Sequence, residues 1–300
     1  MKGSKRALLI FCLIFLSIGV LPVEAQKKSK KKYYSGSQLK GGGPKTTSFL
    51  SQQWWLGFIF GANLTDPQPG TRYSTFSPIV ESGLSTDKTY ESYNKIGFQA
   101  GISFTYSYRI LSVSLQPNYR QQSFAYSNQY QWIDENDSEN SVILNYYQEQ
   151  NLDYIDFPLT ISASFLSGKL KPFIEVGGFY SLLINANKEV SVDGVDRASG
   201  SPNPFTRGSL SIGATEQFTN NAGLVGGIGF NYDPGNIRIT FDIQYRYGLS
   251  NVTNTENRYA DSRLAGIGDV LDDLSLNNIA VNVGVLFPLR FLSKDFAATE

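Results

Sequence analysis

Six charged residues stand at alternate positions in segments whose other positions are largely apolar. They are Arg120, Asp156, Glu175, Arg238, Asp242 and Arg246. Guanidinium and carboxylate groups on the polar faces of neighbouring strands could pair as a structural plug, or they could line a gated pore or a proton path. An unpaired buried ion costs several kcal/mol. The pattern therefore favours a plug of salt bridges and hydrogen bonds.

The chain offers few groups for catalysis. It contains no histidine, the side chain whose pKa near 6.5 suits proton transfer at neutral pH, and its only cysteine is Cys12. An acidic run at residues 134–140 resembles a calcium loop, but Glu139 stands where an EF-hand has glycine. The run is more typical of a solvated surface. We expect no enzymatic activity, no cofactor and no metal site.

The charged positions belong to long segments with a period of two. From Asp153 to Asn185, apolar residues such as Ile155 and Phe157 alternate with polar ones on both sides of a hinge at residues 167–169. This alternation predicts a β-hairpin with one apolar face. Its strands exceed the 5–6 residues usual in globular sheets and suit a bilayer-spanning strand of roughly 9–11 residues.

Eight segments share this pattern, at residues 53–64, 94–109, 111–125, 153–165, 170–185, 222–232, 236–248 and 275–287. Three connections between them are tight, and four are long, near residues 65–91, 126–148, 186–217 and 250–273. Short and long connections alternate strictly, as in outer-membrane barrels. The sequence predicts an all-β fold, an eight-stranded antiparallel transmembrane β-barrel with short periplasmic turns and four long extracellular loops. The alternative is a soluble lipocalin-like cup, in which the apolar face would point inward.

The amino-terminal part predicts export. Residues 1–25 are typical of a signal peptide, with a basic start, an apolar run and small residues before Gln26. Residues 26–50 are predicted as a disordered basic periplasmic linker, residues 51–292 as the barrel and residues 293–300 as a carboxy-terminal tail. The linker carries five clustered lysines, Lys27, Lys28, Lys30, Lys31 and Lys32. They are either a solvated leader or a tail that binds an anionic partner.

The charge balance gives no indication of a nucleic-acid partner. The 26 basic and 26 acidic residues become 23 and 25 after removal of the predicted signal peptide. The expected surroundings are instead outer-membrane lipid and, as candidate partners, envelope or secretion-complex proteins.

Three short motifs resemble the outer-membrane β-barrel proteins of Bacteroidota, and among them the PorT-like family. They are YIDFPL at residues 154–159, KPF at residues 171–173 with Gly177 and Gly178, and VGVLFPL at residues 283–289. The resemblance implies an outer-membrane location and an association with type IX secretion. Two hypotheses follow: an accessory barrel that binds envelope components, or a small porin-like channel for solutes.

Overall fold

The computed structural model describes residues 52–73, 88–137, 139–166, 168–198, 200–258 and 270–289. The predicted signal peptide, the basic linker with its five lysines and the carboxy-terminal tail lie outside the described residues.

The described chain is almost entirely β-structure. Its eleven strands are β1 (Gln52–Pro69), β2 (Thr89–Glu91), β3 (Ile96–Tyr108), β4 (Leu111–Leu115), β5 (Asn118–Ile133), β6 (Ser141–Ser164), β7 (Leu170–Asp196), β8 (Asn203–Gly213), β9 (Asn221–Tyr232), β10 (Arg238–Gly248) and β11 (Leu274–Pro288). A single turn of 3-10 helix spans Thr215–Gln217. Among these residues, no helix has the length and apolar character needed to cross a membrane.

The strands close into a ring with eight antiparallel strand positions. β1 pairs with β3 on one side and with β11 on the other, and the ring continues through β10, β9, β7 and β6. β4 and β5 occupy the eighth position and together join β3 to β6. The remaining strands are not part of the ring: β2 pairs with β5, and β8 pairs with β7. The predicted eight-stranded antiparallel barrel is confirmed.

Proline interrupts the segment over residues 111–125, which the sequence predicts as one strand. β4 ends at Leu115 and β5 begins at Asn118, with Gln116 and Pro117 between them. Proline lacks the N–H that a central strand donates, so it is confined to bulges and edges. The break keeps the ladder joined, because the carbonyl of Pro117 accepts a hydrogen bond from Ile102 N at 3.0 Å.

The period-two alternation places apolar side chains on the outside of the ring. Outward residues of β11 such as Val281 and Val283 are exposed, while Ala280 and Asn282 between them face inward and are buried. Exposed apolar residues of the other strands of the ring surround the barrel in the same way. A belt of this kind far exceeds the apolar patch of an ordinary soluble monomer and fits a lipid environment.

The connections divide the barrel into two ends. The tight turns after β3, β6 and β9 lie at what we call the turn end, and the long connections lie at the loop end. Two segments predicted as loops, residues 126–148 and 186–217, are largely strand here, because β5, β6 and β7 continue past the apolar belt and β8 pairs with β7. Beyond the lipid both faces of a strand can be polar, so the hydrophobic alternation fades although the hydrogen-bonded ladder continues.

Candidate functional site

The lumen, meaning the space between the inward-facing side chains of the ring, is the candidate site. Midway along it, the two terminal nitrogens of Arg246 donate to the two carboxylate oxygens of Asp156, both at 2.8 Å. Ser181 Oγ donates to Oδ1 of the same carboxylate at 2.6 Å. β10, β6 and β7 supply these residues, and the Arg246 and Asp156 side chains are fully enclosed. This paired geometry is the favourable one for a buried ion pair.

Arg120 lies beside this pair and is held by neutral groups. Its guanidinium donates to Gln99 Oε1 and to Asn278 Oδ1, and it is close enough to Asp156 to be attracted and to Arg246 to be repelled. Within the described residues, Asp156 thus forms its ion pair with Arg246, and Arg120 is bound by amide oxygens. The sequence placed these residues on the polar face, but it did not show which of the two arginines would bind Asp156.

Glu175 and Asp242 lie apart from the guanidinium groups, towards the turn end. Gln244 Nε2 donates to Glu175 Oε1 at 2.9 Å, and Asn282 Nδ2 donates to Asp242 Oδ1 at 2.7 Å. Within the described residues neither carboxylate forms an ion pair, and the two are near enough for their charges to repel. Hydrogen bonds through Asn282 and Gln99 nevertheless connect Asp242 to Arg120.

Arg238 lies at the turn-end mouth of the lumen. Its Nε and Nη2 donate to the two oxygens of Asp233 at 2.8 and 3.0 Å, and its guanidinium lies 4.1 Å from the ring centroid of Trp55. Lys171 Nζ donates to the same aspartate at 2.8 Å. Burial alone would raise the pKa of Asp233, but the hydrogen bonds from Arg238 and Lys171 outweigh it and lower this pKa. Sequence reasoning missed Asp233, because it stands in a turn and not in the alternating pattern.

An apolar cluster fills the loop end of the lumen. It consists of Phe124, Tyr126, Leu152, Tyr154, Ala186, Ala214, Phe218, Val252, Leu271, Leu274 and Leu276. Inward positions of β5, β6, β7 and β11 supply part of the cluster, and the long connections supply the rest, so that Phe218 meets Phe124 edge to face. Sequence reasoning missed this core. The available signal was the change from polar to apolar residues at the inward positions of β5 and β6.

A buried ionic contact ties two long connections together above the apolar cluster. Asp272 accepts hydrogen bonds from Lys88 Nζ at 2.8 Å, from Tyr90 Oη at 2.9 Å and from the backbone N–H of Tyr73 at 2.9 Å. Burial, followed by the nearby Tyr126 and Asp272, raises the pKa of the Tyr90 phenol far above its ordinary value. The first and fourth long connections are therefore fastened to each other.

A small polar cavity remains at the turn end of the lumen. Its volume is about 30 Å³. It is lined by Ser103, Thr105, Ser112, Ser114, Gln116, Ser162, Phe173, Glu175, Asn231, Arg238, Thr240, Asp242 and Leu286. Space of this size accommodates about one water molecule. Among the described residues, side chains thus block the lumen, and this pocket lies on the side of the short turns.

Comparison with known proteins gives a family and several distant structures. The family model described as outer membrane protein beta-barrel domain matches residues 25–254. Neisserial surface protein A is 14% identical, with a TM-score of 0.33 and coverage of 78% of this chain and 96% of that one. Ail of Yersinia pestis, solved with the heparin analogue sucrose octasulfate, is 10% identical, with a TM-score of 0.27 and coverage of 78% and 99%. A Pseudomonas aeruginosa FadL homologue is 6% identical, with a TM-score of 0.24 and coverage of 78% and 90%. No curated protein matches the chain.

Proposed function

Because the chain belongs to the family of outer membrane protein β-barrel domains, and is an outer-membrane protein, we propose that it binds other envelope components and neither conducts solutes nor catalyses a reaction. The observation that carries this proposal is the blocked lumen. The turn end is then periplasmic and the loop end extracellular, as in outer-membrane barrels generally.

Two successive layers of side chains oppose conduction. An eight-stranded barrel has an interior just wide enough for side chains to fill. Here the layer of Arg246, Asp156 and Arg120 crosses the middle of the lumen, and the apolar cluster around Phe124 and Phe218 closes its extracellular end. A hydrated ion crossing the barrel would have to separate a buried ion pair and then enter an apolar core.

The extracellular sheet supports a binding role. β8 stands at one end of the strand order, pairs with β7 on one side only, and is exposed on both faces over most of its length. Pro204 and Arg207 stand in its first half, and the second half, residues 208–213, has neither proline nor charge. Native proteins usually protect such an edge with charge or proline, whereas an open edge can accept an added strand from a partner.

The resemblance to PorT-like barrels of Bacteroidota suggests the class of partner. It supports the finer proposal that the barrel is an accessory component of type IX secretion. The lysine tail at Lys27, Lys28, Lys30, Lys31 and Lys32 would add a periplasmic tether to the cell wall or to an acidic protein. Exposed lysines attract an anionic surface by roughly 1 kcal/mol each, and salt screens this attraction.

Planar-bilayer recording tests the blocked lumen. The purified wild-type barrel should give no steady conductance above that of the empty bilayer. A variant that removes the layers, Phe124→Ala with Phe218→Ala and Arg246→Ala, is expected to show more frequent openings if it still folds. Steady conductance by the wild type alone would overturn the proposal in favour of a porin-like channel.

Crosslinking in cells followed by purification in mild detergent tests the binding role. Ser209→Lys with Ser211→Lys places charge on β8 and should reduce the recovery of an extracellular partner. Gln129→Lys with Asn136→Lys adds the same charge to the exposed β5–β6 hairpin and is the matched control. Deletion of residues 27–32 should remove only partners whose recovery by the wild type falls as salt rises. Equal recovery by all variants at every salt concentration would contradict the proposed surfaces.

A further inference from the structure

An apolar groove lies on the lipid-facing surface of the barrel, across strands β11, β1 and β3. The register places Leu56 between Phe287 and Phe104, so that one smaller side chain stands between two aromatic rings. Phe58, the next outward residue of β1, and Ile102 opposite it close the groove towards the middle of the bilayer. The groove has a volume of about 270 Å³ and apolar walls. It can therefore hold part of one hydrocarbon chain.

Two aromatic side chains with polar atoms stand on the turn-end side of the groove. Trp54 lies opposite Tyr106 in the sheet, and their ring centroids are 4.8 Å apart. Trp54 is 48% exposed. Tryptophan and tyrosine are enriched where the hydrocarbon of a bilayer meets its headgroups. This row of the sheet thus marks the level of the glycerol and ester groups of a lipid whose chain lies in the groove.

A cation follows beyond this aromatic row. Arg109 lies exposed in the turn between β3 and β4, and its guanidinium carbon is 5.3 Å from the ring centroid of the outward-facing Tyr108. Among the described residues Arg109 forms no ion pair. Tyr108 comes four residues after Phe104, which is about 13 Å along a strand. At a strand tilt of about 35–45° this is roughly 10 Å along the bilayer normal, which places the guanidinium at the level of lipid phosphates.

The backbone at Arg109 is one that arginine rarely adopts. Its φ is 55°, in the left-handed region that favours glycine, and tight hairpin turns usually have glycine or asparagine at such a position. An arginine here lowers the stability of the turn relative to glycine. The turn therefore does not require arginine, whereas contact with an anionic headgroup would use its side chain.

The rim formed by the tight turns is basic as a whole. Arg109 and Lys169 stand exposed in two of the turns, while Lys171 and Arg238 both bind Asp233 in the third. Among the described residues of this rim, four cations thus face a single carboxylate, and the other carboxylates near this end lie inside the lumen. A rim of this charge attracts anionic headgroups.

We propose that the groove and the rim bind one anionic glycerophospholipid of the periplasmic leaflet, with an acyl chain between Phe104 and Phe287 and the phosphate at Arg109. Such a lipid matches both parts of the site, because glycerol separates its apolar chains from its charged phosphate. A second barrel could cover the groove, but its turn end would bring the same basic rim towards Arg109. The inference rests on the outer-membrane location and the periplasmic turn end, and it is independent of the proposed extracellular partner.

Quenching of tryptophan fluorescence by brominated lipids tests the site, because Trp54 stands at its edge. The full-length barrel carrying Trp132→Phe, which removes the extracellular tryptophan, is reconstituted in phosphatidylcholine vesicles. Increasing fractions of phosphatidylglycerol or phosphatidylcholine with brominated chains are then added. We expect phosphatidylglycerol to bind about fivefold more tightly than phosphatidylcholine, which is the preference that one cation near the membrane surface provides. Equal quenching by the two brominated lipids would overturn the proposal and leave only ordinary boundary lipid.

Two variants in the same background assign the preference to Arg109. Arg109→Gly removes the charge and suits a φ of 55°, so the barrel should keep its heat-modifiable gel band while the preference disappears. Lys169→Gln removes an exposed cation from another tight turn and is the matched control, which should keep the preference of about fivefold. A preference that persists in Arg109→Gly, or one that is lost in Lys169→Gln, would contradict the assignment.

Retention of lipid in detergent tests the groove separately. After purification from phosphatidylglycerol vesicles in mild detergent, the wild type should retain about one phospholipid per barrel, measured as lipid phosphorus. Leu56→Phe fills the groove and should abolish this retention. Val281→Phe enlarges an outward residue of β11 outside the groove and should retain the lipid as the wild type does. Equal retention by the two variants, or none by the wild type, would show that the groove holds no acyl chain.

Discussion

At the scale of single residues, Asp156 binds a buried positive charge in the lumen. Arg246 donates to both of its oxygens, and both side chains are enclosed. Removing one partner of a buried pair leaves the other charge uncompensated and costs about 3–5 kcal/mol. We therefore expect Asp156→Asn to lower the free energy of unfolding by this amount, measured by urea titration of the refolded barrel.

A double-mutant cycle separates this effect from general damage to the lumen. Asp156→Asn combined with Arg246→Gln should cost clearly less than the sum of the two single variants, because the second substitution removes the stranded charge. Asp193→Asn, at an exposed position on β7, is the control and should change stability by less than 0.5 kcal/mol, as is usual for surface substitutions. Additive costs would show that the pair is not coupled.

Asp233, at the periplasmic mouth, makes the stability of the barrel depend on pH in the acid range. Arg238 and Lys171 hold its folded pKa below the usual value near 3.9. The stabilisation is therefore present above about pH 4 and is lost as the pH falls through the folded pKa. We expect the wild type to lose stability below about pH 4 more steeply than Asp233→Asn, measured by urea titration at each pH. Parallel curves for the two proteins would contradict this role.

The sequence identifies the lumen residues but not their partners. Side chains alternate between the two faces of each strand, and this alternation places Asp156 and Arg246 on the polar face. The level at which they meet depends on the stagger between β6 and β10, which are separated in the ring by β7 and β9. The stagger across β7, β9 and β10 likewise brings Glu175 and Asp242 to the wall of one cavity. No local pattern encodes such a distance, because it accumulates from the registers of several strand pairs.

At the scale of the strand, neighbouring residues of β10 test which face meets lipid. Ile243 is 43% exposed on the outside, whereas Gln244 is 2% exposed and contacts Glu175. Arginine at a lipid-facing midplane position costs about 2–4 kcal/mol. Ile243→Arg should therefore reduce the heat-modifiable folded fraction in membranes far more than Gln244→Arg, whose guanidinium can pair with Glu175. Equal losses would mean that the facing is assigned wrongly.

The strands within the bilayer could be predicted closely, and their extensions could not. β3, β9 and β10 begin and end within a few residues of the predicted segments, because lipid requires an apolar residue at every second position. β5 and β7 continue to Ile133 and Asp196, where water allows polar residues on both faces. The apolar residues of these extensions that fill the lumen, such as Tyr126 and Leu152, lie outside the predicted strands, and Tyr126 lies in a predicted loop.

At the scale of the whole molecule, the two ends of the barrel differ in how they are closed. Among the described residues, short turns and the ends of strands surround the periplasmic mouth, and the small cavity lies there. At the extracellular end, long connections pack into the apolar cluster and are fastened by Asp272 to Lys88 and Tyr90. This asymmetry makes the barrel a closed support for the extracellular sheet, with its polar pocket directed to the periplasm.

Cysteine labelling on intact cells tests this orientation. Asn136 lies exposed in the β5–β6 hairpin connection, and Gly235 lies in the β9–β10 turn, where an added Cβ would meet no atom within 4 Å. Asn136→Cys should react with a membrane-impermeant maleimide on whole cells, whereas Gly235→Cys should react only after the outer membrane is permeabilised. Wild-type cells measure the background from Cys12. Labelling of Gly235→Cys alone on whole cells would invert the barrel and place the proposed partner edge of β8 in the periplasm.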